Sequence, residues 1–274
     1  MLTIGICIAT YNRKVTTLKC INTLKSYINT DVILKYFITD GGSTDGTVEA
    51  LKEDSNIEVY IKQDFFWNRA MNNSISQALH ANVDVLLLLN DDVYLNTGCI
   101  DEMISLLMSG KSLIVIGECL DSESKEVSYG RLKLRKGFSK LSFELLSTNS
   151  DDNAETFNGN CVLITASDLC RLGNLDYRYT HSFGDIDLGL RATKAGFQIV
   201  SIGEPVGYCD KNITWSEQLS KLNLKNWRFI LLHPKGIPYK EWWLFCRSHG
   251  GSLWFVNFIT RYFKLILRSK YLSL

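Results

Sequence analysis

Two adjacent carboxylates, Asp91 and Asp92, follow the apolar run at 83–89 after a single residue, Asn90. Adjacent carboxylates repel each other, so placing them after a buried strand is costly unless a cation balances their charge. Hard divalent cations such as Mg²⁺ and Mn²⁺ take carboxylate oxygens and keep coordination positions for water and phosphate oxygens. A helix N-cap is the alternative, but the next helical pattern begins only at residue 97. We therefore predict a divalent-metal site at this acidic pair.

Two further apolar runs also end in polar turns. The run 3–9 is followed by Thr10, Tyr11 and Arg13, and the run 32–39 is followed by Asp40 and a stretch rich in Gly, Ser and Thr. Ligands of open α/β sheets bind at the carboxyl ends of the strands. Each turn alone could be no more than a turn, because Asp, Asn and Gly are the usual turn residues. The convergence of three such turns on one sheet edge predicts a binding site.

The common glycine-rich and hydrolytic motifs do not occur in the sequence. It contains no G-x-G-x-x-G, no G-x-x-x-x-G-K-[ST], no H-E-x-x-H and no G-x-S-x-G. This argues against the commonest dehydrogenase, NTPase, metalloprotease and serine-hydrolase classes. A nucleotide must therefore be held by something other than a glycine-rich backbone cradle.

The elements that position these residues alternate between strand and helix patterns. The predicted strands are 3–9, 32–39, 57–62, 83–89 and 113–117, and the predicted helices between them are 14–27, 47–53, 68–80 and 97–108. Such alternation predicts an α/β fold with a mostly parallel sheet covered by helices on both faces. The nearly continuous apolar run 83–89 is typical of a central strand.

The pattern changes after residue 120. Charged and Ser-rich sequence at 121–153 predicts a poorly packed excursion, a hairpin with a mobile loop. Further predicted elements are a strand at 157–165, helices at 166–172 and 187–195, and a strand at 197–202. Beyond 210 the chain becomes helical, basic and aromatic, with Thr214 and Glu217 spaced as a capping box. We predict an α/β domain at 1–210 and a helical extension at 211–274.

Charge is divided unevenly along the 274 residues, although the net charge is only +1. Residues 211–274 hold eleven Lys or Arg and two acidic residues, so they carry +9 and residues 1–210 carry −8. This asymmetry predicts different partners for the two parts.

The eight Cys are scattered without a C-x-x-C pair, which predicts reduced, mostly buried thiols. With no basic segment before the first apolar run and no long apolar stretch, we expect a cytoplasmic protein without a signal peptide or inserted helix.

In these polar turns the sequence resembles the family 2 glycosyltransferases of the GT-A fold. The matching pieces 6–13, 40–47, 89–92 and 181–192 occur in the family's order. The stretches 66–72 and 158–160 also resemble a bacterial, rhamnosyltransferase-like branch that builds surface polysaccharide. The resemblance implies inverting transfer of a sugar from a nucleotide-diphosphate sugar to a hydroxyl of a glycan or lipid-linked acceptor, with Mn²⁺ or Mg²⁺ as cofactor.

The resemblance also implies individual roles. Thr10 and Tyr11 would line the base pocket, and Asp40 would accept a hydrogen bond from a pyrimidine imide N–H. Asp91 would face the ribose or sugar, and Asp92 would bind the metal that bridges the diphosphate. The remaining implied nucleotide-sugar-binding positions are Arg13, Trp67, Asn68, Arg69, Asn160 and His181.

Asp185 falls where the family keeps its catalytic base. The family's Glu-Asp pair is Gly184-Asp185 here, so one carboxylate is absent and Asp187 is an alternative base. Asp187 and Arg191 are four residues apart in a predicted helix, which suits an ion pair. Asp185 precedes that predicted helix and is freer to point into the cleft, so we favour it as the base. The remaining alternative is that both acids only cap the helix.

A second departure from the family pattern is Cys209, where many members keep a histidine as an additional metal ligand. A thiolate is a poor ligand for Mg²⁺, so we expect Cys209 to contribute packing. Asp210 is then a weak substitute for the missing ligand.

The end of the chain combines aromatic and basic residues. In 253–270 the polar positions Asn257, Arg261, Lys264 and Arg268 are spaced 4, 3 and 4, which predicts a helix with a narrow basic stripe and a broad apolar surface. This pattern suits an anionic membrane surface, reached from the cytoplasmic side. Packing against the catalytic domain or a second subunit is the alternative, and nucleic acid is not expected because bulky aliphatic residues dominate.

Two other functions stay open at this point. A nucleotidyltransferase on a similar sheet would release pyrophosphate instead of nucleoside diphosphate. A catalytically inactive, membrane-bound scaffold is conceivable because Gly184 replaces an acid.

Overall fold

The structure is a computed structural model that describes residues 1–28, 31–135, 141–211 and 224–271. The predicted capping box of Thr214 and Glu217, and the side chain of Arg268, lie outside the described residues. The strands are β1 (Leu2–Thr10), β2 (Val32–Asp40), β3 (Ile57–Ile61), β4 (Val85–Leu89), β5 (Tyr94–Leu95), β6 (Leu113–Ile116), β7 (Cys119–Leu120), β8 (Val127–Tyr129), β9 (Arg131–Leu134), β10 (Phe143–Leu145), β11 (Thr156–Phe157), β12 (Cys161–Thr165), β13 (Gln198–Val200) and β14 (Gly207–Tyr208). The helices are α1 (Lys14–Tyr27), α2 (Thr47–Leu51), α3 (Trp67–His80), α4 (Cys99–Met108), α5 (Ala166–Leu172), α6 (Gly184–Lys194), α7 (Leu224–Leu232), α8 (Tyr239–His249) and α9 (Trp254–Tyr271), with a 3₁₀ turn at Gly251–Leu253.

A seven-stranded sheet forms the centre of the fold, with the strand order β13-β6-β12-β4-β1-β2-β3. The strands β1, β2, β3 and β4 pair in parallel, and β12 pairs antiparallel with both β4 and β6. The prediction of a mostly parallel sheet flanked by helices is therefore confirmed. The predicted strand 157–165 is divided, because β11 belongs to a separate three-stranded sheet and only β12 enters the central one.

The side chains of β1 and β4 alternate between two apolar cores, one on each face of the sheet. On one face Ile6 and Leu87 pack in the core that contains Leu24 of α1. On the other face Cys7 packs in the core that contains Met71 of α3. Every residue of β4 is buried, as the apolar run 83–89 predicts for a central strand.

The hairpin predicted within 121–153 is present as β9 and β10, but the expectation of poor packing is wrong for the described residues of this stretch. The strands β9, β10 and β11 form an antiparallel sheet, and Leu132 and Leu146 are buried. Arg131 donates from Nε to Oε1 of the fully buried Glu118 at 2.8 Å. The strands are only two to four residues long, too short for a periodic pattern to reveal them.

The C-terminal helices pack on the α6 side of the domain through a third apolar cluster. Phe183 stacks on Phe245 with the ring centroids 5.2 Å apart, and Trp242 of α8 is buried in the same cluster. The predicted polar stripe of α9 therefore lies partly against protein. Asn257 is buried, and the guanidinium of Arg261 lies 5.0 Å from the centre of the Trp242 ring.

The opposite face of α9 is apolar and exposed. Its exposed large apolar side chains are Phe255, Val256, Ile259, Phe263, Ile266 and Leu267. Within the described ranges, no helix has both the length and the hydropathy needed to cross a membrane. All eight cysteines are unpaired, and all but Cys170 are buried, as their scattered spacing predicts.

Candidate active site

The carboxyl ends of β1, β2 and β4 meet at one edge of the central sheet. Thr10 and Asp40 are register partners at the ends of β1 and β2, and β4 lies on the other side of β1. The Thr10 hydroxyl donates to Oδ2 of Asp91 at 3.2 Å, which joins the turn after β1 to the acidic pair. The predicted convergence of the three polar turns is therefore present.

Asp91 is almost fully buried, with 2% of its side chain exposed. Its Oδ2 accepts hydrogen bonds from Thr10 and from Thr17, the latter at 2.9 Å. Its Oδ1 forms an ion pair with Arg13 at 2.8 Å. Burial raises the pKa of Asp91 to about 6, even though Arg13 and Thr17 act to lower it. Thr17 is a site residue that sequence reasoning missed, because a Thr within α1 gives no signal of its own.

Asp92 is more accessible, and it shares the same arginine. Oδ2 of Asp92 accepts from Nη2 of Arg13 at 2.8 Å, while the Cys209 thiol donates to Oδ1 at 3.6 Å. Asn160 in turn donates from Nδ2 to the Cys209 sulfur at 3.4 Å. Cys209 is buried and orients its neighbours, and the Asp210 carboxylate accepts from the backbone N–H of Ser122.

The acidic pair supplies a small donor set for a metal ion. Among the described residues, no three His, Cys, Asp or Glu side chains lie together closely enough to hold a metal. Two adjacent carboxylates fit a hard cation that takes its other ligands from water and from phosphate oxygens, which is the usual behaviour of Mg²⁺. The guanidinium that bridges them shows that these two carboxylates already share one positive charge.

The Asp40 carboxylate stabilises the turn that follows β2. This fully buried carboxylate accepts from the backbone N–H groups of Gly42 and Ser43 at 2.8 and 2.7 Å, and from the Ser43 hydroxyl. An additional hydrogen bond to a nucleobase, the implied role of Asp40, would have to compete with these partners. Tyr11 is exposed beside Gly41, and Asn12 joins the two turns by accepting from the Thr44 N–H at 2.8 Å.

Asp185 lies against the 158–160 loop, which connects β11 to β12. Its Oδ2 accepts from the Gly159 N–H at 2.9 Å, and its Oδ1 accepts from the Ile186 N–H at 2.8 Å. Trp67 packs on the same glycine, since a Cβ atom at Gly159 would lie 2.6 Å from its ring. Burial raises the pKa of Asp185, against these two N–H donors, which lower it.

The start of α6 differs from the prediction. The helix begins at Gly184 and not at 187, so Asp185 belongs to its first turn instead of preceding it. Asp187 forms the expected ion pair with Nε of Arg191 at 2.8 Å. Its second oxygen lies 2.7 Å from Nε2 of His249 in α8. Both oxygens of Asp187 are thus occupied, and His249 is a partner that no local sequence pattern could reveal.

Two of the implied nucleotide-sugar-binding residues hold the 176–180 loop. The Asn68 amide donates to the carbonyls of Asp176 and Tyr179, both at 2.8 Å. Arg69 donates from Nε to the Tyr177 carbonyl at 3.2 Å, with its guanidinium over the Tyr177 ring. These contacts give both side chains a structural position beside the loop that precedes α6.

Trp67 and His181 are the aromatic members of this set of implied binding residues. The Trp67 indole N–H donates to Oδ1 of Asn90 at 2.6 Å, next to the acidic pair. His181 packs edge-on against Phe66, and burial together with Lys235 and His233 lowers its pKa to about 4. Nδ1 of His181 is buried, and no residue of the described ranges bonds to it. The His181 imidazole is therefore neutral at neutral pH.

The mixed, mostly parallel α/β sheet flanked by helices is a fold of the GT-A type. The sequence profile of the family described as "Glycosyl transferase family 2" matches residues 5–169. The chain belongs to this family. No curated protein sequence matches the chain.

Solved structures share the fold. GalNAc-T7 with UDP, GalNAc and Mn²⁺ superposes with a TM-score of 0.62 at 12% identity, over 76% of this chain and 44% of that one. The mannosyltransferase PcManGT from Pyrobaculum calidifontis, in complex with GDP-Man and Mn²⁺, gives 0.54 at 14% identity, over 79% of this chain and 60% of that one. TarS of S. aureus gives 0.54 at 14% identity, over 77% and 60%. This chain thus spans about half the length of these proteins, and at such identities the likeness shows the fold alone.

The Asn68 amide leaves no space for a side chain at position 184. A Cβ atom at 184 would lie 1.6 Å from Oδ1 of Asn68, so Gly184→Ala should lower the free energy of unfolding by about 1–3 kcal/mol through overpacking. In an Asn68→Ala background this loss should be smaller, because the obstructing amide is gone. Chemical denaturation of the two single variants and the double variant measures the coupling. Strictly additive losses would contradict the proposed contact.

The raised pKa of Asp91 predicts a pH-dependent loss of stability. Between about pH 4 and 6 the folded protein keeps a proton on Asp91 that the unfolded chain has released. Stability should therefore fall as pH rises through this window, by up to about 3 kcal/mol relative to Asp91→Asn. Unfolding free energies of both proteins, measured from pH 4 to 7 without divalent cations, test this. A constant difference across the range would contradict it.

Proposed function

We propose that this chain transfers a sugar from a nucleotide-diphosphate sugar to an acceptor hydroxyl with inversion, with Asp185 as the base. The supporting observation is the acidic pair at the end of β4, which shares its edge of the sheet with the turns after β1 and β2. A divalent cation, Mn²⁺ or Mg²⁺, would bind to Asp92 and Asp91 together with the donor diphosphate. Such a cation supplies positive charge that stabilises the departing diphosphate.

Asp185 is the acid best placed to take the proton from the acceptor. Its pKa is raised by burial, and a more basic carboxylate accepts a proton more readily. Both oxygens of each acid are bonded, but the partners of Asp185 are two neutral backbone N–H groups, whereas those of Asp187 are the Arg191 guanidinium and the His249 imidazole. The acceptor oxygen would attack the anomeric carbon while the bond from that carbon to the diphosphate oxygen breaks. The acceptor proton passes to Asp185, and no covalent enzyme intermediate is needed.

The transferred sugar is proposed to be a hexose or deoxyhexose, rhamnose included. The stretches 66–72 and 158–160, which resemble the rhamnosyltransferase-like branch, contact each other where Trp67 packs on Gly159. Gly159 also donates to Asp185, so these stretches border the proposed base. That position supports a role for them in holding the sugar. The acceptor would be a glycan, with bacterial surface polysaccharide as the proposed pathway.

The exposed apolar face of α9 supports a membrane-bound acceptor. Phe255, Ile259 and Phe263 point away from α8, against which the other face of the helix packs. An amphipathic helix of this kind lies in the interface of an anionic membrane, and residues 211–274 carry +9. A lipid-linked acceptor at the cytoplasmic face would then meet the enzyme at that surface.

Asp185→Asn should separate chemistry from donor binding. Turnover should fall by about 10²–10⁴-fold, while affinity for the donor changes less than about two-fold, because the variant loses only the proton acceptor. Release of nucleoside diphosphate is measured across UDP-, dTDP- and GDP-sugars with glycan and lipid-linked acceptors. Asp168→Asn is the matched control, since this acid also lies in the first turn of a helix, but at the opposite edge of the sheet. Undiminished turnover in Asp185→Asn would contradict the assignment of Asp185 as the base. Release of pyrophosphate would indicate a nucleotidyltransferase.

Replacing the exposed apolar face should abolish membrane binding without unfolding α9. The combined variant Phe255→Ser, Ile259→Ser and Phe263→Ser removes only exposed side chains, whereas deleting α9 would uncover α8. We expect its co-sedimentation with phosphatidylglycerol-containing vesicles to fall at least about ten-fold. The control carries Ile33→Ser, Ile61→Ser and Met108→Ser, which are exposed apolar residues of the catalytic domain. Unchanged sedimentation, or a dimer lost in the first variant only, would contradict the membrane assignment.

A further inference from the structure

Arg13 contacts both members of the acidic pair. Nη1 lies 2.8 Å from Oδ1 of Asp91, and Nη2 lies 2.8 Å from Oδ2 of Asp92. Oδ2 of Asp91 is already bonded by Thr10 and Thr17. Within the described part of the chain, the guanidinium thus takes an oxygen from each carboxylate in a two-pronged contact.

If a divalent cation bound the acidic pair, the same two oxygens would be the ones left to receive it. Oδ2 of Asp91 is held by two hydroxyl donors inside the protein, and Oδ1 of Asp92 receives the Cys209 thiol. A cation that bound Oδ1 of Asp91 and Oδ2 of Asp92 would lie where the guanidinium lies now. A divalent cation and the Arg13 guanidinium would repel each other strongly in this position, so both cannot occupy the acidic pair at once.

The Arg13 side chain has room to move away from the acidic pair. Its side chain is 43% exposed, and it extends from the turn that precedes α1. A planar guanidinium binds phosphate oxygens in the same two-pronged way as it binds carboxylates. A guanidinium released at the carboxyl edge of the sheet is therefore suited to a diphosphate bound at that edge.

We infer that Arg13 is an internal competitor of the divalent cation, which holds the acidic pair in the metal-free protein and moves to the donor diphosphate when the cation binds. This inference rests on the proposed function. It makes the cation and the diphosphate bind cooperatively: the cation alone must displace Arg13 without compensation, whereas the diphosphate gives the displaced arginine a new partner. Premature binding of a cation without its substrate is thereby disfavoured.

The first measurement is the affinity for Mn²⁺ alone, followed by the electron paramagnetic resonance signal of free Mn²⁺ up to millimolar concentration. Arg13→Ala should bind Mn²⁺ about ten-fold more tightly than the wild type, the size expected for a charged contact that is partly exposed. Lys14→Ala is the matched control. It removes the same charge one residue away, where Nζ lies beside Gly46, and it should change the affinity less than two-fold.

The second measurement uses UDP, dTDP and GDP as probes, each titrated by calorimetry at saturating Mn²⁺. The nucleoside diphosphate that binds the wild type should bind Arg13→Ala about ten-fold more weakly, since the released guanidinium is missing. Opposite changes for the two ligands identify competition, because a merely damaged structure would lose both affinities. Arg13→Lys keeps the charge without the two-pronged contact, so its Mn²⁺ affinity should lie between those of the wild type and Arg13→Ala.

The outcomes separate this inference from the proposed function. If Arg13→Ala binds Mn²⁺ no more tightly than the wild type, Arg13 is not a competitor, although the metal assignment stands if Mn²⁺-dependent nucleotide binding is still lost in Asp92→Asn. If none of these proteins binds Mn²⁺, with or without nucleotide, both the inference and the metal assignment are wrong.

Discussion

Neutralisation of two adjacent carboxylates at the end of a fully buried strand is the constraint on which the candidate active site depends. The chain cannot leave Asp91 beneath the surface without donors, and it surrounds that carboxylate with two hydroxyls and a guanidinium. All three donors come from the end of β1 and the beginning of α1. The parallel pairing of β1 with β4 brings them there, so the central sheet and the charge balance of the site depend on each other.

The antiparallel strand β12 brings a loop to the carboxyl edge of the sheet, which a parallel strand in its place would not do. Because it runs against β4, its first residue, Cys161, pairs with Leu89, the last residue of β4. The loop before β12 therefore reaches the same edge as the acidic pair, where Asn160 bonds Cys209 and Gly159 bonds Asp185. One strand of reversed direction thus joins the two halves of the candidate site, the acidic pair and the proposed base.

The C-terminal helices are connected to the proposed base through α6. His249 and Arg191 occupy both oxygens of Asp187, two residues beyond Asp185, and Phe183 stacks on Phe245 just before the helix. The extension therefore forms part of the support of α6. If the outward face of α9 binds a membrane, the C-terminal helices both meet the lipid and support the helix that carries the proposed base.

The sequence by itself determined the central sheet, the convergence of the three polar turns and the Asp187–Arg191 pair. These follow from strand and helix periods, from the rule that parallel strands end at one edge, and from an i, i+4 spacing, all of which are local. Only the tertiary structure decided that β12 runs antiparallel, that Asp40 closes its own turn, and that the excursion after residue 120 packs as a sheet. It alone placed His249 on Asp187 and both prongs of Arg13 on the acidic pair, since these contacts join residues 62 to 79 positions apart. No period or spacing in a sequence encodes contacts at such separations, because they depend on how complete elements pack.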